Sequence, residues 1–83
     1  MHHYVYMLKS QNSNPVTYVG YTNNIKNRLN LHNNNKGAKF TKGRKWKIIF
    51  KKIFKTKSKA LKYEYFLKKN KILRNLIKSK YIK

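Results

Sequence analysis

Glu64 is the only acidic residue in a sequence that contains 22 lysines and arginines. On a helical wheel it falls on a predicted face with Leu61 and Leu67 rather than on a charged face. An ion pair with Lys68, four residues later, would contribute only about 0.3–0.5 kcal/mol. A hard divalent cation requires an oxygen anion, and one carboxylate with waters and substrate phosphate is a common Mg²⁺ arrangement. Glu64 is therefore predicted to hold one Mg²⁺ or Mn²⁺ ion.

Arg28 and His32 lie four residues apart in a predicted helix whose apolar side also carries Ile25 and Leu29. An arginine on that side could extend its charge past the core into solvent. It could also bind phosphate, because the planar guanidinium donates to two oxygens at once and stays charged. His32 could transfer a proton near neutral pH or be an ordinary core histidine. These residues alone leave both alternatives open.

Two tyrosine-rich segments flank a cluster of turn-forming residues. Tyr6 belongs to the first segment, residues 3–8, and Tyr18 to the second, residues 16–21. The pattern predicts a β-hairpin, in which a symmetric turn places Tyr6 across from Tyr18. Gly20 indicates that another backbone approaches this strand closely, which would leave the Tyr18 phenol accessible to a substrate. Tyrosine is also a common strand residue, so a structural role is the simpler alternative for either one.

The formal net charge is +21 over 83 residues. A genome rich in adenine and thymine could by itself enrich lysine. The near absence of acids needs a further cause, and a polyanionic partner provides one. Nucleic acid, with DNA first, is the leading candidate. A loop rich in cations is predicted to contact phosphates through Lys36, Lys39, Lys42, Arg44 and Lys45.

Length and composition limit the remaining classes. Eighty-three residues without cysteine predict one domain, residues 1–83, without a disulfide or a cysteine-ligated zinc. No apolar run approaches the length of about 18 residues that spans a bilayer, so no membrane partner is expected. No small-molecule cofactor is expected either. The first residues lack the features of a secretory signal, which predicts a cytoplasmic location.

The elements that position these residues follow from turn and capping signals. Trp46, Ile48 and Phe50 occupy every second position of residues 46–51. This alternation predicts a third strand with these three side chains on one face. The order β-β-α-β-α-α predicts an α+β fold. The predicted strands cover residues 3–8, 16–21 and a segment from Trp46, and the predicted helices cover about 25–32, from Thr56 or Ser58 to about Lys69, and Lys71 to Lys78.

The order of these elements and of the candidate site residues resembles that of the GIY-YIG nuclease family, most closely that of its short stand-alone members. The residues that carry the resemblance are Tyr4-Val5-Tyr6, Tyr18-Val19-Gly20, Arg28, His32 and Glu64. Tyr4 and Val5 replace the glycine and isoleucine of the first motif. A segment similar to residues 36–41 and a Trp-Lys start to the third strand also occur in those members. The resemblance implies a small three-stranded antiparallel sheet flanked by helices.

The resemblance also implies hydrolysis of a nucleic-acid phosphodiester with one divalent ion held by Glu64. Tyr18 would accept the proton of the attacking water, and Arg28 would neutralise the scissile phosphate. Tyr6 and His32 would orient water or help the proton to move. Because a phenol holds its proton near neutral pH, a nearby cation must favour the phenolate if Tyr18 is the base.

Two functions therefore compete. The first is a metal-dependent endonuclease of repair, recombination or mobile-element type. The alternative is a non-catalytic, highly basic DNA- or RNA-binding protein in which the tyrosines only build the sheet.

Many family nucleases also place an asparagine near the site, and either Asn70 or Asn75 could fill that position. The shape of the substrate and the oligomeric state stay open at this level.

Overall fold

The computed structural model describes residues 2–81. Within them, strands and helices follow the order β-β-α-β-α-α, which confirms the predicted α+β class. The elements are β1 (His3–Ser10), β2 (Thr17–Thr22), α1 (Ile25–Asn33), a 3₁₀ turn (Lys39–Thr41), β3 (Trp46–Phe54), α2 (Lys57–Lys69) and α3 (Lys71–Tyr81). None of the helices in this part of the chain has the length and apolar character needed to cross a membrane.

The three strands form one antiparallel sheet in the order β2-β1-β3, as the resemblance implied. Residues 5–8 of the central strand β1 are all buried, because both faces of the sheet are covered. Successive side chains point to opposite faces. Val5 and Met7 pack into one cluster with residues of α2, whereas Tyr6 and Leu8 pack on the other face with residues of α1.

The register of the hairpin differs from the prediction. Tyr6 pairs with Gly20, and Tyr18 pairs with Leu8, so the expected Tyr6–Tyr18 pair is wrong. The turn closes between Ser10 and Val16, whose backbone N–H is accepted by the Ser10 hydroxyl at 2.9 Å. This closure moves the pairing by two residues. A two-residue shift preserves the faces, so Tyr18 still shares a face with Tyr6.

The third strand contains an irregularity that the alternating pattern did not predict. Met7 pairs with Phe50 and Leu8 with Ile48, which leaves one extra residue on β3 between the two pairs. An extra residue shifts the alternation of side chains by one position, so residues two apart in the sequence point to opposite faces when the extra residue lies between them. Trp46 and Ile48 therefore pack on the α1 side and Phe50 on the α2–α3 side, so the prediction of one shared face is wrong for Phe50.

Side-chain caps set where the helices of the second half begin. The hydroxyl of Thr56 accepts the Lys59 N–H at 3.2 Å, so Thr56, rather than Ser58, caps α2. Asn70 separates α2 from α3, and its side-chain oxygen accepts the Leu73 N–H at 3.0 Å. Asn70 is thus engaged as a helix cap, and Asn75 lies exposed within α3. Helix α3 continues beyond its predicted end to Tyr81.

Candidate active site

A chain of hydrogen bonds begins at Tyr6 on β1 and ends in the loop after α1. The Tyr6 phenol lies 2.8 Å from Nε2 of His32. Nδ1 of His32 lies 2.9 Å from the Thr41 hydroxyl, which donates to the Ala38 carbonyl at 2.8 Å. Since a hydroxyl has one hydrogen, Thr41 must accept from Nδ1–H. Nε2 of the neutral imidazole is then an acceptor, and the Tyr6 phenol donates to it.

His32 is buried and neutral in this chain. Burial lowers its pKa below the ordinary value of 6.5, and the positive charge of Arg28 lowers it further. Both ring nitrogens are occupied by Tyr6 and Thr41, so His32 is not a metal ligand in this arrangement. Its position on the apolar side of α1 agrees with the predicted helix face, where Ile25 and Leu29 also pack.

Two glycines make room for the Tyr6–His32 pair. A Cβ at Gly20 would lie 2.6 Å from Cζ of Tyr6. A Cβ at Gly37 would lie 2.8 Å from Cε1 of His32. The close approach at Gly20 is therefore made by the Tyr6 phenol on the neighbouring strand, not by another backbone as the sequence indicated. Gly37 was not singled out from the sequence, although it lies next to the cationic loop.

Of the two tyrosines in the cluster, Tyr6 and Tyr18, only Tyr18 reaches the surface. Its ring lies 5.2 Å from that of His32 and 6.5 Å from that of Tyr6. On its other side it stacks with Phe40, with 6.1 Å between ring centroids and 20° between planes. Tyr6 is only 1% exposed, whereas Tyr18 is partly exposed. A molecule in solvent can therefore contact Tyr18 but not Tyr6.

Arg28 brings an unpartnered donor to the same place. Its Nε atom is buried and makes no hydrogen bond within the described residues. A buried donor without a partner costs about 1–3 kcal/mol. Burial raises the pKa of Tyr6 to about 12, and the neighbouring Arg28 guanidinium opposes part of that rise. The Tyr6 phenol is thus protonated at neutral pH, as its donation to His32 requires.

Glu64 lies on α2, and its side chain is 18% exposed. Its negative charge contributes to the raised pKa of Tyr6, so it acts on the same cluster. One of its carboxylate oxygens lies 3.3 Å from Nζ of Lys68, so the ion pair weighed at the sequence level is present. Among residues 2–81 no three His, Cys, Asp or Glu side chains group together as a metal site.

A cleft of about 310 Å³ opens beside Tyr18. Its walls come from β2, the 3₁₀ turn, α2 and α3. The lining combines two aromatic rings, two cationic side chains, and a threonine and a valine of β2. The lining residues are Thr17, Tyr18, Val19, Phe40, Lys68 and Arg74.

The cationic loop has both free and engaged side chains. Nζ of Lys45 donates to the Asn33 carbonyl at 3.0 Å. Arg44 donates to the Phe40 carbonyl at 3.2 Å, and its guanidinium carbon lies 5.4 Å from the centre of the Phe40 ring. The other three cations predicted to contact phosphate are exposed, namely Lys36, Lys39 and Lys42. Contact with nucleic acid stays a prediction for all five.

Several residues that hold this loop were missed from the sequence. The Asn33 side chain accepts the Trp46 N–H at 2.6 Å and donates to the Trp46 carbonyl at 3.2 Å. The Trp46 indole donates to the Thr41 carbonyl at 3.0 Å. Asn35 has a positive φ of 61° and accepts the Gly43 N–H at 2.7 Å. The run of asparagines indicated a turn, but not these partners.

The fold and this cluster define a GIY-YIG domain. Residues 2–76 match the sequence model of the GIY-YIG catalytic domain, and the chain belongs to the GIY-YIG family. This confirms the resemblance drawn from the motifs. The family generally consists of endonucleases, which implies a nucleic-acid substrate.

The similar proteins are small members of the same family that carry the name UPF0213. One from Oceanobacillus iheyensis is 43% identical over 67 residues, which are 80% of this chain and 76% of that protein. One from Clostridium perfringens is 42% identical over 85 aligned positions, covering 96% of this chain and 87% of that protein. The solution NMR structure of a UPF0213 protein from Bacillus halodurans is 32% identical, with a TM-score of 0.56 and coverage of 95% and 84% of the two chains.

Proposed function

We propose that this protein is a divalent-metal-dependent endonuclease that hydrolyses phosphodiester bonds of nucleic acid, with DNA as the first candidate. One observation carries the proposal: the motif residues Tyr6, Tyr18, Arg28 and His32 lie together at one place in the fold. The rings of Tyr6, Tyr18 and His32 lie within 6.5 Å of one another. The charges of Arg28 and Glu64 both act on the Tyr6 phenol.

In this proposal Arg28 binds the scissile phosphate. The buried Nε has no partner in the described residues, and a phosphate oxygen would supply one. A guanidinium can donate to two phosphate oxygens at once, which fixes the orientation of the phosphate as well as neutralising its charge. Binding of the substrate would therefore also remove the cost of the unpartnered donor.

Tyr18 is the residue that we propose accepts the proton of the attacking water. Unlike Tyr6, it is accessible to solvent, and its ring lies 5.2 Å from that of His32. Tyr6 and His32 are buried, so we assign them as positioning residues that hold Tyr18 and Arg28 in place without contacting the substrate.

Glu64 would hold the metal ion. A single carboxylate fits Mg²⁺ or Mn²⁺, whose remaining ligands are water and substrate phosphate. The donor set does not fit a zinc site, since zinc takes at least three protein ligands and the described residues contain no such group. When bound, the ion supplies positive charge to the phosphate that is being cleaved. Lys68 must then release Glu64 or share it.

The test is nicking of supercoiled plasmid in Mg²⁺, Mn²⁺ or EDTA. We expect cleavage in both metals, none in EDTA, and none by Glu64→Gln or Tyr18→Phe. Binding of a DNA duplex in EDTA should be equal or tighter for Glu64→Gln, because a negative charge facing phosphate has been removed. The control is Lys68→Gln, which breaks the same ion pair but keeps the carboxylate. It should keep the dependence of cleavage on metal, with weaker binding of DNA because Lys68 lines the cleft beside Tyr18. Undiminished cleavage by Glu64→Gln would defeat the role of Glu64.

The second candidate is a non-catalytic basic binder of nucleic acid. The Glu64–Lys68 ion pair favours it, because the pair gives the only carboxylate of the sequence a structural partner. A binder would show no nicking in either metal. Its affinity for DNA would still fall steeply with salt, because bound lysines and arginines release counterions from the phosphates.

A further inference from the structure

Phe40 lies exposed on a rigidly held turn. Its side chain is 51% exposed. The next residue, Thr41, is fully buried, and it accepts hydrogen bonds from Nδ1–H of His32 and from the Trp46 indole.

A single exposed aromatic residue is common and has no functional meaning by itself. A cation over the ring does not distinguish Phe40, since Nζ of Lys69 lies 4.6 Å from the centre of the exposed Tyr65 ring. The contact with Tyr18 of the candidate active site does.

The surroundings of Phe40 combine aromatic surface with positive charge. The Phe40 ring stacks on Tyr18, and the Arg44 guanidinium lies 5.4 Å from its centre. Phe40 and Tyr18 together line the 310 Å³ cleft that Lys68 and Arg74 also line. Proteins that bind single strands use this combination, because bases stack on aromatic rings while cations contact the phosphates.

Tyr65 provides an internal comparison. It is 62% exposed, which is more than Phe40. It lies on α2 and lines a separate groove with Leu61 and Lys57. It takes no part in the Tyr6–Tyr18–His32 cluster. Exposure alone would select Tyr65, whereas the position beside the candidate active site selects Phe40.

We propose that Phe40 is a base-stacking residue and that its cleft with Tyr18 takes one unpaired nucleotide of the nucleic-acid substrate. The inference rests on the proposed function, because it places that nucleotide next to the scissile phosphate. A base inside a duplex already has both faces covered by its neighbours, so it must leave the stack to contact Phe40. Nucleic acid with an unpaired nucleotide therefore binds more tightly than a continuous duplex.

The experiment measures base stacking directly, in EDTA, so that no cleavage occurs. The probe is a short single-stranded oligonucleotide that carries the fluorescent base 2-aminopurine, and a blunt hairpin of the same composition is its paired counterpart. The variants are Phe40→Leu, which removes the ring, and Phe40→Tyr, which keeps it. Tyr65→Leu is the matched control for loss of an exposed aromatic residue. Circular dichroism checks that each variant is folded.

We expect the wild-type protein to quench the 2-aminopurine fluorescence and to prefer the single strand. Phe40→Leu should lose the quenching and about tenfold in affinity for the single strand, with little change for the hairpin. The slope of affinity against salt should not change, because no charge is lost. Phe40→Tyr and Tyr65→Leu should behave as the wild-type protein does. Equal quenching by Phe40→Leu, or equal loss of affinity for both probes, overturns the inference.

The two proposals fail in different ways. If Phe40-dependent quenching occurs but the plasmid is not nicked, the cleft binds a base and the nuclease proposal is wrong. If the plasmid is nicked in Mg²⁺ but quenching does not depend on Phe40, the nuclease stands and the stacking inference is wrong. Should Phe40→Leu fail to fold, a wild-type protein that does not quench 2-aminopurine would still overturn the inference.

Discussion

The α2–α3 side of the sheet and the α1 side are stabilised by different interactions. On the α2–α3 side, the buried cluster consists of Val5, Met7, Val19, Ala60 and Leu67, which are all apolar. On the α1 side, a buried tyrosine, histidine and threonine are joined by hydrogen bonds of 2.8–2.9 Å. The α2–α3 side can thus supply stability through burial alone, whereas the α1 side fixes the orientation of polar groups.

The difference teaches how a chain this small accommodates a polar site. Buried polar groups are costly unless each is paired, so the α1 side depends on a complete hydrogen-bond chain. The apolar side has no such requirement: it tolerates apolar substitutions that keep the volume of the side chain, but not truncations that leave a cavity. Variants on the two sides should therefore affect different measurements.

The largest loss of stability is expected from Leu67→Ala. Leu67 is fully buried on α2 in the apolar cluster. Truncating a buried leucine costs about 2–5 kcal/mol, because the removed atoms leave a cavity. Urea unfolding measures this loss. Phe66→Ala is the control on the same helix, since Phe66 is exposed and its truncation should cost much less. Similar losses in the two variants would contradict the assignment of the core to this side.

A smaller loss is expected from Thr41→Val, which keeps the shape of the side chain. The change leaves Nδ1–H of His32 without its partner, at a cost of about 1–3 kcal/mol. The Ala38 carbonyl loses the hydroxyl but keeps the Thr41 backbone N–H at 3.0 Å. Thr41→Ser retains the hydroxyl and should retain most of the stability. NMR of the His32 ring nitrogens should show the wild-type tautomer in Thr41→Ser but not in Thr41→Val. Identical spectra would mean that Thr41 does not set the tautomer.

The elements and the motif residues were predictable because they depend on local signals. The run of apolar and aromatic residues predicted β1. The polar residues 22–24 predicted the start of α1, and Asn24 among them is the cap that accepts the Asn27 N–H at 3.1 Å. The lone acid Glu64 was identified by composition alone. These features are readable from the sequence because each depends on a few neighbouring residues or on a count.

The register and the loop were not predictable for a physical reason. The hairpin register depends on the Ser10 hydroxyl, and a turn of this length allows more than one closure. The role of Thr41 depends on a histidine nine residues earlier, and that of Gly37 depends on the space needed by the same ring. Such contacts exist only after the helix and the sheet have packed together, so no local pattern indicates them.

The smallest effect is expected from pH and tests whether His32 is neutral. Its pKa in the folded state is lowered below 6.5, mainly by burial. Above that value the histidine is neutral in both states, so it adds no pH dependence. As the pH falls from about 6.5 towards the lowered folded-state pKa, the unfolded chain binds the proton first and stability decreases. Neither contact of the ring titrates there, since Thr41 is not ionisable and the pKa of Tyr6 is about 12.

The measurement is the free energy of unfolding in urea between about pH 7 and pH 5, for the wild-type chain and for His32→Gln. The remaining titratable groups are common to both proteins, so the difference between the two pH profiles isolates His32. We expect stability to fall more steeply towards acid in the wild-type chain. Parallel profiles would show that His32 binds a proton equally well in the folded and unfolded states. The hydrogen bond from the Tyr6 phenol would then not favour the neutral ring, although a doubly protonated ring cannot accept it.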